Sequence, residues 1–193
     1  TLIQYFTTKE PTDDIIKLAM YGVLAAGRKK RGIEVYKYVN RYVKQNLKEI
    51  EYDVQDIYSI LEYITKTDRN KIYLQKDTML LSINQEIESD RLLDKYYKEK
   101  YPLQYITHKQ YFFNEQYYVD ENVLIPRQDS EILVEKALEY IEKENITKMI
   151  DLCTGSGALG ISIAKNAKTD MQVELIDISQ GALGVANRNI HSN

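Results

Sequence analysis

The sequence predicts an α/β protein in three parts: an N-terminal helical domain, a β-hairpin, and the first half of a parallel sheet. Three observations predict it. Up to about residue 100, apolar residues recur at three- and four-residue steps in runs poor in glycine and proline, the pattern of amphipathic helices. Aromatic and polar residues then alternate around "NE" at Asn114 and Glu115, which is a hairpin signal. From residue 148 onward the chain runs strand, glycine loop, helix, strand, helix; this spacing makes a parallel sheet whose ligands lie at the carboxyl ends of its strands.

Taken in chain order, "LAMYGVLAAG" (residues 18–27) reads as a core helix. It falls well short of the roughly 20 residues a membrane helix needs and lacks the layout of a signal peptide. The basic run "GRKKRG" (27–32) reads as a solvated turn between helices, because no aromatic or further basic residues extend it into a stripe. In "DVQDIYSILEYI", Asp53 starts a helix whose buried face carries Val54, Ile57, Tyr58, Leu61 and Ile64. "SINQEIESDRLLDKYYKEK" gives a looser stripe of Ile83, Ile87, Leu92 and Tyr96. Pro102 closes the helical region, since proline cannot continue a helix and forces its predecessor to be extended.

The hairpin follows in "QYFFNEQYYVDENVLIP", with Asn114 suited to a left-handed turn position. In "PRQDSEILVEKALEYIEKE", Asp129 or Ser130 is expected to cap a helix with Ile132, Leu133, Lys136, Ala137 and Tyr140 in helical spacing. "KMIDLCTGSGALGISIAKNA" supplies strand, loop and a helix burying Ile161 and Ile163; "MQVELIDIS" is the second strand and "QGALGVANRNI" the second helix. Two parallel strands cannot by themselves bury both faces, so the reading expects a truncated sheet.

Composition narrows the function. With 44% hydrophobic and 28% charged residues and a net charge of -3, the chain is that of a globular protein without an electrostatic footprint for nucleic acid. The single cysteine, Cys153, excludes an intramolecular disulfide, and with His108 and His191 as the only histidines no metal site is expected. A reducing, cytoplasmic setting fits best.

"DLCTGSGALG" (151–160) contains a literal G-x-G-x-x-G in Gly155, Gly157 and Gly160, the fingerprint of a dinucleotide loop. Asp151 argues against that ligand. A carboxylate two residues ahead of the loop repels a pyrophosphate but tolerates a cation. Gly155 and Gly157 let backbone approach the ligand without a Cβ in the way, while Gly160 is expected only to pack a helix near the sheet. Asp177 follows Gly157 by about 20 residues, at the end of the second strand, where a carboxylate can accept both ribose hydroxyls; helix capping is the alternative for it. That feature is shared by dinucleotide and other adenosine sites and does not discriminate.

"PLQYITHKQYFFNEQYYVDENVLIPRQDSE", followed by "MIDLCTGSGALGISIAK" and "VELIDIS", resembles the HemK-like (PrmC-type) release-factor glutamine methyltransferases. "VLIPR" together with the glycine loop carries the resemblance, which covers roughly residues 53–193. It implies a class I methyltransferase (Rossmann-like) parallel sheet and S-adenosylmethionine as cofactor. The implied division is 1–100 as a helical substrate-recognition domain, 101–126 as a β-hairpin linker and 127–193 as a partial cofactor-binding domain. By the resemblance, Asp151 lies near the methionine end of the cofactor and Cys153, Thr154, Gly155, Ser156 and Gly157 wrap its methionine portion. Asp177 holds the ribose, and Arg127, with Gln128, Asp129 and Ser130, flanks the cleft.

The implied activity is methylation of the glutamine side chain in the Gly-Gly-Gln motif of peptide chain release factors, which are the implied partners. Cys153 stands where the family has a glycine and is expected to keep an ordinary backbone conformation, its thiol a small packing group. Gln128 replaces a proline, and His108 and Asn114 stand where glycines are common. The family's Asn-Pro-Pro-aromatic motif does not occur in these residues, whose prolines are Pro11, Pro102 and Pro126, so no catalytic residue is assigned. The reading expects a chain that lacks the C-terminal part and is inactive alone. Two other functions keep parts of this reading: methylation of the adenine amino group in DNA, and a non-catalytic helical interaction module with an incomplete nucleotide fold.

Overall fold

The computed structural model describes residues 32–193, which divide into two compact units with the boundary after Lys100. The readings of residues 18–27 as a core helix and of 27–31 as a turn lie outside the described residues.

In the first unit, strand β1 (Ile33–Glu34) pairs antiparallel with β2 (Leu80–Leu81). Between and after them come α1 (Val35–Asn46), α2 (Val54–Thr65), α3 (Arg69–Leu74) and α4 (Ile83–Tyr97). Helix α2 starts where the sequence places it, because the Asp53 side chain accepts a hydrogen bond from the Gln55 amide. It buries Ile57, Tyr58, Ile60 and Leu61, whereas Val54 is exposed at its first turn. Helix α4 opens with a full capping box between Ser82 and Gln85.

The expected stripe on α4 is rotated from the real one. Glu86, Ser89, Leu92, Leu93 and Tyr97 are buried, while Ile83, Ile87 and Tyr96 are half-buried. Polar residues take this face because α1 offers them partners. Arg41 pairs with Glu86 and Asp90, and the hydroxyls of Tyr38 and Tyr42 donate to Asp90 and Asp94 at 2.8 Å each. Burial pushes both phenols well above their ordinary range, so they remain neutral donors. Pro102 does not close the helical region: α4 ends at Tyr97, Lys100 sits in the left-handed region, and Pro102 opens the short helix α5 (Leu103–Thr107).

In the second unit, β3 (Gln110–Phe112) and β4 (Glu115–Tyr117) form the hairpin, with Phe112 opposite Glu115. Both loop residues, Phe113 and Asn114, have positive φ (49° and 64°), the backbone of a tight hairpin turn that follows the twist of the strands. Residues Gln128–Ser130 make a 3-10 turn that runs directly into α6 (Glu131–Glu144), so neither Asp129 nor Ser130 caps that helix through its side chain. The expected face of α6 is also displaced: Val134 and Ile141 are buried, and Ile132, Leu133 and Tyr140 are exposed.

Strands β5 (Lys148–Leu152) and β6 (Gln172–Ile176) pair in parallel, with Asp151 beside Leu175. Helix α7 (Ala158–Asn166) connects them and α8 (Gln180–Ser192) follows. One core joins the hairpin to this pair: Phe112 and Tyr117 pack with Val134, Ile141, Ala158, Ile161 and Ile163. Each fully buried apolar side chain of this kind contributes roughly 1.5–3 kcal/mol.

Candidate functional site

Residues Cys153–Gly157 leave the carboxyl end of β5 and turn into α7. Three of them have positive φ: Cys153 at 60°, Gly155 at 56° and Gly157 at 80°. Cys153 therefore does not keep an ordinary conformation; it takes the left-handed one that glycine adopts at no cost. Its thiol is exposed rather than packed, because the chain turns away from the core at that point.

The loop is held from both strands. The Thr154 amide donates to the Ile176 carbonyl at the end of β6 (3.0 Å), and the Gly157 amide to the Thr154 carbonyl (2.9 Å). Asp151 Oδ2 accepts from the Thr154 hydroxyl (2.8 Å) and from the Gly160 amide (3.0 Å). Gly160 is the third residue of α7, so its N–H is one of the donors that a helix leaves unsatisfied in its first turn. A carboxylate there also meets the positive end of the helix dipole. Asp151 thus occupies a donor that a dinucleotide loop of this pattern would turn toward a pyrophosphate.

Gly160 can sit this close only without a side chain: a Cβ would lie 2.4 Å from Leu175 Cδ2 and 3.0 Å from Asp151 Oδ2. This is helix-to-sheet packing, as expected of it. At Gly155 the opposite holds, with nothing within 4 Å of the position a Cβ would take. That stretch of backbone faces open space.

Asp177 stands immediately after β6. Its Oδ2 accepts from the Gly155 amide and its Oδ1 from the Ser179 amide, both at 2.9 Å. The Ser179 contact first, then that of Gly155, holds the carboxyl below its ordinary value, so it is anionic near neutral pH. Each oxygen keeps a second lone pair, so these bonds leave acceptor capacity for two hydroxyls. The capping alternative is partly realised, since Ser179 is the N-cap of α8 and Asp177 fixes its amide. The next residue, Ile178, is fully exposed, an apolar side chain beside an anion at a strand end. Periodicity could not single it out, because it lies outside strand and helix.

Asp151 and Asp177 therefore bond adjacent loop residues, Thr154 and Gly155, and the next two residues, Ser156 and Gly157, are buried. Arg127 is exposed at the start of the 3-10 turn, and none of the loop's hydrogen bonds among the described residues involves it. The sequence reading missed Asn189, fully buried in α8, which bonds to both the loop and Tyr118, the residue after β4. Its one local signal was an asparagine inside a helix, a position more often taken by stronger helix formers.

Residues 128–193 match the family described as "Methyltransferase small domain". A release factor glutamine methyltransferase from Clostridium acetobutylicum is 42% identical over 72% of this chain and 48% of its own length. Proteins of the same name from Mycoplasma mycoides and Leptospira interrogans are 41% and 39% identical, over 70% and 74% of this chain and 47% and 49% of theirs. The chain spans about half the length of the curated relatives it matches. With these identities, and with a methyltransferase match over the strand and loop residues just described, the chain belongs to the family of release factor glutamine methyltransferases.

Proposed function

We propose that the protein takes part in S-adenosylmethionine-dependent methylation of the glutamine side-chain amide in the Gly-Gly-Gln motif of peptide chain release factors, in the cytoplasm. The N-terminal region, residues 1–100, recognises the release factor. The hairpin segment, 101–126, leads into the cofactor-binding region, 127–193, whose two strands are the first half of a class I methyltransferase sheet.

The observation that carries this reading is the placement of two carboxylates around an open loop. Asp151 is turned inward onto the first turn of α7, and Asp177 lies at the end of β6 with acceptor capacity left. Such a site suits a ligand with a ribose and a positive charge and no pyrophosphate. The residues fit S-adenosylmethionine: Asp177 accepts the ribose hydroxyls, exposed Ile178 offers an apolar face to the adenine, and the loop Cys153–Gly157 lines the methionine portion, opened by the unobstructed backbone at Gly155. Arg127 flanks the cleft. When bound, the cofactor supplies an electrophilic methyl group on a sulfonium. The contribution of these residues would be positioning: they would hold the cofactor in one pose, and orientation of two reactants accounts for much of the rate in such transfers.

Calorimetric titration with S-adenosylmethionine and with NAD tests the ligand. Micromolar affinity for the first and none for NAD is expected; the reverse sinks the reading. For the acceptor, the full-length protein is incubated with a release factor, duplex DNA and methyl-labelled cofactor, and label is expected in the release factor. Label in the DNA instead would assign the adenine-directed activity.

A further inference from the structure

We propose that Asn189 is a positioning residue for the glycine loop, fixing the Ser156 peptide and the segment leaving the hairpin in one relation. What the loop holds rests on the function proposed above; that Asn189 orders the loop does not.

Asn189 is completely buried in the last turn of α8. Its Oδ1 accepts from the Tyr118 amide (2.7 Å), and its Nδ2 donates to the Tyr118 carbonyl (3.0 Å) and to the Ser156 carbonyl (2.8 Å). The side chain presents to Tyr118 the donor and acceptor pair that a neighbouring strand would present, and spends its second N–H on the loop. Only a carboxamide of this length offers one acceptor and two donors in one plane. Aspartate keeps the acceptor but sets a carboxylate against two carbonyl oxygens, and alanine leaves all three backbone groups, that of Ser156 buried, without this partner.

The grip on Tyr118 is doubled. Arg188, the preceding residue of α8, holds its guanidinium 3.6 Å from the centre of the Tyr118 ring, and the His108 ring stacks on the same tyrosine at 5.1 Å. Helix α8 thus holds Tyr118 by its backbone through Asn189 and by its ring through Arg188, and holds the loop by the same Asn189. The loop and Tyr118 therefore cannot shift independently. A loop ordered before the ligand arrives loses less conformational freedom on binding, which raises affinity.

The test compares Asn189→Ala and Asn189→Asp with Val134→Ala, a buried substitution in the same unit that removes no hydrogen bond of the loop. Hydrogen exchange of the Gly155, Ser156 and Gly157 amides is followed without ligand, and affinity for S-adenosylmethionine is measured by calorimetry well below Tm. Both Asn189 variants are expected to exchange these amides at least tenfold faster than wild type and to bind at least tenfold more weakly. Val134→Ala, even at matched Tm, is expected to stay within twofold on both measures. Unchanged loop exchange in the Asn189 variants, or an equal rise in Val134→Ala, overturns the inference. Wild type that fails to bind S-adenosylmethionine overturns the proposed function instead, and the exchange result still decides the role of Asn189. If neither Asn189 variant folds, exposed Arg188→Ala loosens Tyr118 alone: an exchange rise of about threefold in the loop is expected, and no rise overturns the coupling.

Discussion

Cys153 occupies a left-handed position with an exposed thiol, next to the loop glycines. A non-glycine residue there costs about 1–2 kcal/mol, and glycine gives back about 0.4–1 kcal/mol through its freer unfolded chain. Cys153→Gly is therefore expected to stabilise the protein by up to about 1 kcal/mol in urea denaturation. Gly160 poses the opposite balance. Alanine gains about 1 kcal/mol of helix propensity, but its Cβ would lie 2.4 Å from Leu175 and 3.0 Å from the Asp151 carboxylate. Overpacking costs typically 1–3 kcal/mol, and here it would also displace the carboxylate that bonds Thr154. Gly160→Ala should lower the urea midpoint and raise the exchange rate of the loop amides.

Asp177 makes the folded state pH-sensitive at the acid end. The amides of Ser179 and Gly155 lower its pKa in the folded protein, so its contribution to stability is complete above the unfolded value of about 3.9 and is lost as the pH falls through the lower folded value. Asp177→Asn should be less stable than wild type at pH 7, and the difference should shrink as denaturation is repeated below about pH 4. A difference that persists unchanged at pH 2 would show that the carboxylate's charge is not what the two amides stabilise.

At the scale of elements, the hairpin and the parallel pair share a core, so the turn between β3 and β4 bears on the site. Asn114 holds φ 64°, where asparagine is tolerated and alanine is not. Asn114→Ala should cost about 1 kcal/mol in thermal denaturation, while Asn114→Gly stays near wild type. Strand, loop and helix positions around the site were legible in the sequence because each has a local signature: an apolar run, glycines, then helical spacing. The face that each helix buries was legible on α2 and not on α4 or α6. On α2 the apolar residues form one stripe. On α4 the neighbour α1 supplies Arg41, Tyr38 and Tyr42, which let Glu86 and Ser89 occupy the inner side. Helix α6 carries more apolar residues than one face holds, and the core selects Val134 and Ile141 over Ile132 and Leu133.

At the scale of the whole molecule, ligand binding to the folded state alone raises its stability by mass action. At a ligand concentration 100 times Kd the gain is about 2.7 kcal/mol. S-adenosylmethionine at that excess is therefore expected to raise Tm by several degrees, and NAD at the same concentration to leave it unchanged, in a calorimetric scan.

By itself, the sequence determined what is local: helical, hairpin and strand segments, a loop that needs glycines, an acid ahead of it, and a second acid at the next strand end. The family followed from two of these motifs read together. Only the tertiary structure decided how those residues act. It bonded Asp151 to the Thr154 hydroxyl and the Gly160 amide, gave Asp177 two backbone donors, and put Cys153 in a glycine's conformation. It also brought Asn189 to Tyr118 across 71 residues and to Ser156 across 33. Periodicity and spacing report which backbone a segment favours, and they are blind to partners that become neighbours only when the chain folds.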